Sequence, residues 1–85
     1  MITIDETRIE HIFRDAEGHF AEDTELNRQA LLDTANRPAN FVGTDRFGNA
    51  WFVEIRADGS QNWVQVRGGK ITNGGINSRP RNFAL

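Results

Sequence analysis

The sequence predicts an α+β domain, with two N-terminal helices packed on a small antiparallel sheet of three to four strands. Two observations carry this reading. Before Pro38, apolar residues recur at helical spacing, as with Ile9, Ile12 and Phe13 at i, i+3 and i+4. After Pro38 the period falls to two, and tight glycine turns separate the segments. Helices that precede a run of hairpin strands give this layered class.

Asp5 is placed to cap the first helix, and Gly18 to stop it. A second helix is expected to begin near Asp23 and Thr24, with Glu25 in its first turn, where a negative charge favours the helix dipole. Its apolar face is Leu26, Ala30, Leu31 and Ala35, and Pro38 ends it. Phe41 to Thr44 reads as a short strand, and Asp45 to Asn49 as a turn. Ala50 to Arg56 and Gln61 to Arg67 read as strands joined by the Asp58-Gly59 hairpin signal. Gly68 and Gly69 make the next turn, Lys70 to Asn73 forms a last short strand, and Gly74-Gly75 opens an irregular tail.

Alternation sorts the side chains of these strands. Val64 and Val66 point one way; Trp63, Gln65 and Arg67 point the other. Trp51, Val53 and Ile55 form the apolar set of the preceding strand, which the helices are expected to cover. The opposite face then combines an aromatic ring, an amide and arginine, a set suited to stacking on bases and gripping phosphate. The structural alternative is a small second cluster of Trp63 with Phe52.

Eighty-five residues make a single domain, 1–85, with a modest core. The absence of cysteine excludes a disulfide scaffold and a thiolate metal site. No apolar stretch approaches the ~20 residues of a membrane span, and Met1 to Thr7 lack the pattern of a signal peptide. The net charge of −2 is unevenly spread. Residues 1–50 hold ten acids and five bases; residues 51–85 hold two acids against Arg56, Arg67, Lys70, Arg79 and Arg81. A local basic region binds phosphate even when the total charge is slightly negative.

His11 and His19, eight residues apart, are the only histidines. They are the side chains whose ordinary pKa, ~6.5, suits proton transfer near neutrality. The Gly18 turn is expected to fold His19 back toward the first helix. RNA carries its own nucleophile, the 2′-OH. Its cleavage needs a base, an acid and cations for the phosphorane. His11 and His19 fit the acid–base pair, with the order open. Arg67, with one of Arg14, Arg79 or Arg81, fits the cation role because guanidinium matches phosphate. Trp63, Gln65 and Asn77 complete the expected substrate-binding set, and Gly74-Gly75 permit close backbone approach to a phosphate or simply form a turn. Each histidine also suits a capping or packing role. No compact metal-ligand spacing, Walker loop or nucleophile elbow occurs, so neither metal nor cofactor is expected. A reading from another class is a non-catalytic module that holds a peptide or single-stranded nucleic acid on the Trp63/Arg67 face.

The order of these residues resembles a known class. His11 to Arg14, Gly18-His19, Asn27-Arg28, Gly59, Trp63 to Arg67, Gly69 to Ile71 and Gly75 to Arg81 resemble C-terminal toxin domains of contact-dependent inhibition and Rhs-type polymorphic toxins. The resemblance spans Arg8 to Phe83 and is one of pattern rather than of one diagnostic signature. It implies the barnase–EndoU–colicin–RelE group of ribonucleases, with N-terminal helices on a four-stranded antiparallel sheet. It implies an endoribonuclease acting on RNA such as tRNA, delivered from the cell surface within a larger toxin and active in the target cytoplasm. It also implies a cognate immunity protein. An acidic one would meet Arg67, Arg79 and Arg81 and compete with RNA for a domain that is monomeric when free.

Overall fold

Pro38 marks the change of period, and the chain changes structure there. The computed structural model describes residues 1–83 and 85. The chain begins with strand β1 (Thr3–Ile4), then a 3₁₀ turn (Glu6–Arg8), helix α1 (Ile9–Ile12) and helix α2 (Glu25–Ala35). Pro38 opens a 3₁₀ turn, Pro38–Asn40, that leads into β2 (Phe41–Thr44), β3 (Ala50–Ile55), β4 (Gln61–Arg67) and β5 (Lys70–Asn77).

The first helix is much shorter than its pattern predicts. Asp5 does cap the opening turn, accepting from Thr7 N at 3.0 Å and Thr7 Oγ1 at 2.6 Å. The helix then stops at Phe13, whose backbone is extended, five residues before Gly18. Phe13 turns into the core, and His19 Nδ1 donates to the Ile12 carbonyl at 2.9 Å. That bond satisfies a carbonyl the ended helix would leave bare. Gly18 sits at φ +83°, and the turn it makes brings His19 back to the helix end.

Helix α2 follows its sequence more closely. Thr24 caps it by accepting from Asn27 N at 3.1 Å. Leu31, Thr34 and Ala35 are buried against the sheet. Leu26 is the exception, standing 80% exposed over an open groove shared with Phe20 and Ile55.

The sheet has five strands in the order β1-β5-β4-β3-β2, and it is mixed rather than purely antiparallel. β1 pairs in parallel with β5, Ile4 opposite Ile71, and both isoleucines enter the core. A strand of two residues is too short to show a period, so β1 is invisible in the sequence. β5 runs on through Gly74 and Gly75 instead of dissolving into a tail. The glycines are needed for close packing. A Cβ on Gly74 would lie 3.2 Å from Leu31 Cδ2, and one on Gly75 would lie 1.9 Å from Gly18 O.

The β3–β4 register corrects the expected faces. Val53 pairs with Trp63, and Trp51 pairs with Gln65. Directly paired residues share a face, so Trp51, Val53 and Ile55 lie opposite the helices. Phe52 and Ala50 pack against the helix-side core with Val64, Val66, Ile71, Leu31 and Ile12.

On the other face a second aromatic cluster forms. Trp51 stacks on Trp63 with centroids 5.7 Å apart, and Phe83 packs on both at 4.9 and 6.2 Å. The C-terminal segment reaches this position because Gln61 holds it. Gln61 Nε2 donates to Arg81 O at 2.9 Å, and Gln61 Oε1 accepts from Arg81 N at 3.0 Å. Among the described residues, no helix is long and apolar enough to cross a membrane.

Candidate functional site

One end of this outer face carries a small open cleft of about 330 Å³. It is lined by Arg8, His11, Phe47, Asn49, Gln65, Arg67, Thr72 and Asn73. No carboxylate lines it. Larger grooves of about 730 and 550 Å³ mix acids and bases along their walls, and one of about 440 Å³ is lined mainly by apolar side chains such as Ile2, Phe41 and Phe52. The smaller cleft is therefore the better phosphate site, because its charged groups are all of one sign.

Each wall has a local origin. Arg8 and His11 stand at i and i+3 along the 3₁₀ turn and α1, so they share a face. Gln65 and Arg67 alternate outward on β4, as the sequence predicts. The β4–β5 register shifts where Gln65 pairs with Asn73 but Val66 with Ile71, so Thr72 is the extra residue of a bulge and enters the wall with Asn73. The β2–β3 turn supplies Phe47 and Asn49.

Asp45 shapes that turn. Its Oδ1 accepts from Phe47 N at 2.9 Å and Asn49 N at 3.0 Å. Its Oδ2 accepts from Asn49 Nδ2 and Trp51 Nε1, both at 2.9 Å. These donors, Trp51 first, hold the Asp45 carboxyl well below the usual carboxylate range. The turn in turn orients Arg67, whose guanidinium donates to the Phe47 carbonyl.

Asp45 makes the stability of the fold depend on pH. Its pKa is lower in the folded protein than the ~3.9 of an unfolded chain. The stability it contributes is thus full above that value and lost as pH falls through the folded value. Asp45→Asn is expected to melt at a lower temperature than wild type at neutral pH. Its melting temperature should also fall less steeply on acidification below about pH 4. Thermal melts followed by circular dichroism across the acid range check both. Parallel pH profiles would show that Asp45 does not hold the turn.

His11 is exposed at the rim of the cleft, and its pKa lies below the ordinary histidine value. Partial desolvation in the cleft is the main cause, followed by the charges of Arg14, Arg8 and His19. It is therefore neutral at pH 7 and able to accept a proton.

His19 sits differently. Its Nδ1–H is committed to the Ile12 carbonyl, and its Nε2 accepts from Arg14 Nη2 at 3.1 Å. A carbonyl can only accept, so the tautomer is fixed. The ring packs edge-on against Trp63 at 5.5 Å. The histidines are close enough to influence each other electrostatically, but only His11 lines the cleft.

The remaining expected site residues divide. Gln65 and Arg67 join His11, while Arg14 is exposed beside His19. Asn77, Arg79 and Arg81 line the larger groove with His19, and Arg81 is paired there with Glu17 at 2.9 Å. Asn77 is buried and donates to Gln61 Oε1 at 3.0 Å, which makes it part of the tail's anchorage. Trp63 is 8% exposed, and its indole N–H donates to Gly18 O at 2.9 Å. It therefore offers no open ring for stacking. It belongs to a second cluster, as the structural alternative predicts, but with Trp51 and Phe83 in place of Phe52. Gly74 and Gly75 accommodate Leu31 and the Gly18 loop, and line neither groove.

Sequence reasoning missed Arg8, Phe47, Asn49, Thr72 and Asn73. Arg8 had a signal, its spacing of three from His11. Phe47 had one too, an aromatic ring at the tip of a polar turn. Thr72 and Asn73 depend on the bulge, which no local pattern announces. Among the described residues, no group of three or more His, Asp or Glu side chains converges in a way that could hold a metal. No protein-family model, no curated protein and no solved structure matches this chain.

Proposed function

We propose that this domain is a metal-independent endoribonuclease of the polymorphic-toxin kind, with its reaction centred on the His11 cleft. The observation that carries this reading is a histidine of lowered pKa opening on a cleft with Arg8 and Arg67 and no carboxylate. Neutral His11 takes the proton of a ribose 2′-OH. The oxygen attacks the adjacent phosphorus, and the bond from phosphorus to the 5′-oxygen breaks. Arg67 and Arg8 stabilise the negative charge of the phosphorane. His19 supplies the proton to the leaving oxygen. In the free protein its Nε2 carries no proton and accepts from Arg14. Arg14 must therefore first turn toward a phosphate and Nε2 take a proton from solvent; the imidazolium so formed then protonates the leaving oxygen. An acidic immunity protein would compete with RNA for the same cations.

The test is incubation of purified protein with total bacterial RNA at substoichiometric enzyme, with and without EDTA. Cleavage is expected to survive the chelator and to leave 2′,3′-cyclic phosphate or 3′-phosphate ends. Activity abolished by EDTA and restored by magnesium or zinc would overturn the mechanism.

A further inference from the structure

We infer that Phe47 is a base-stacking platform, and that it directs the His11 cleft to unpaired nucleotides. This rests on the ribonuclease reading for its substrate class, but its support is separate. Phe47 is 62% exposed at the tip of the β2–β3 turn, away from both hydrophobic clusters. A large apolar side chain in that position contributes nothing to the core. Yet the turn around it is firmly built, with Asp45 accepting from Phe47 N, from Asn49 twice and from Trp51. The backbone that carries the ring is therefore held in place.

Its surroundings select the ligand. Phe47 lines the same cleft as Arg8, His11 and Arg67, and its own carbonyl positions the Arg67 guanidinium. The Arg46 guanidinium lies 4.8 Å from the ring centroid. An aromatic face among cations, at the wall of an open polar cleft that holds two arginines and no carboxylate, matches a nucleotide: the base on the ring, the phosphate among the arginines. Trp63, buried on the same sheet face, cannot do this. A base held in a duplex has its faces covered by its neighbours, so this platform accepts only bases that are already unstacked.

The test uses an RNA hexamer with 2′-O-methyl riboses, which lacks the nucleophile and cannot be cut, beside an abasic hexamer that keeps only the backbone. Phe47→Ala is expected to weaken binding of the first by ~5- to 150-fold, the range of one base–aromatic stack. Affinity for the abasic hexamer should not change. Phe47→Trp should restore binding, with its fluorescence quenched on addition of the hexamer. In cleavage assays Phe47→Ala should raise KM and leave kcat unchanged. Equal affinity of wild type and Phe47→Ala, or an equal loss on the abasic hexamer, would overturn the proposal. A protein that binds through Phe47 but cleaves no RNA would support the platform and sink the ribonuclease reading instead.

Discussion

Replacing His11 with alanine is expected to lower the rate of RNA cleavage by ~10²–10⁴-fold, the contribution typical of one positioned acid or base. The fold should survive, since His11 is exposed and lies outside both the core and the aromatic cluster. Stable folding and lost activity together distinguish a catalytic role from a packing role. The pH profile gives a second readout. The pKa of His11 lies below its ordinary value, so the neutral base predominates at pH 7. Wild-type kcat/KM should climb with pH through that lowered value and be level by neutrality. The rising limb should vanish in His11→Ala. Folding responds with a defined sign as well. An unfolded chain binds the proton at ~6.5, so the folded state loses stability as pH falls from there toward the lower folded value. His11→Ala should remove that loss. A folded variant with near-normal activity would show that His11 is not the base.

Gly75→Ala is expected to destabilise the domain by about 3 kcal/mol and lower its melting temperature by about 12–24 °C. The new Cβ would lie 1.9 Å from Gly18 O and 2.8 Å from His19 Cα. Both are backbone atoms, so no side chain can swing aside. Gly18 O also accepts from Ile76 N at 3.0 Å and Trp63 Nε1 at 2.9 Å. Displacing it endangers both bonds, each contributing ~0.5–1.5 kcal/mol. This is a large part of the ~5–15 kcal/mol that holds a small domain together. The displaced loop carries His19, so its bond to the Ile12 carbonyl and its edge contact with Trp63 weaken with it. Thermal denaturation and tryptophan emission check this, the emission shifting to the red as Trp63 meets water. A variant that melts with wild type would refute the close approach.

The cleft was half legible. His11, Gln65 and Arg67 could be assigned to one surface from their chemistry and from the alternation along β4. Arg79 and Arg81, as basic as Arg67, lie instead along a groove shared with Glu17 and Asp58. Charge counted along the chain cannot separate the two groups. The separation depends on the path of the tail after β5, which Gln61 sets through contacts twenty residues away. The two histidines look alike in the sequence. They differ because one rim position stays open while the Gly18 turn aims the other at a carbonyl.

By itself, the sequence determined the α+β class, helix α2 with its start near Asp23 and Thr24, the hairpin strands and the outward set of β4. These follow from periodicity, capping and turn chemistry, which act over a few residues. Tertiary structure alone decided the early end of α1, the parallel strand β1, the face of Trp51 and the burial of Trp63. It also decided the continuation of β5 through two glycines. Each depends on partners distant in sequence: Ile4 beside Ile71, Val53 opposite Trp63, Gly18 against Gly75. A glycine pair looks the same whether it breaks a strand or lets another segment pack against it. Only the approaching backbone distinguishes the two.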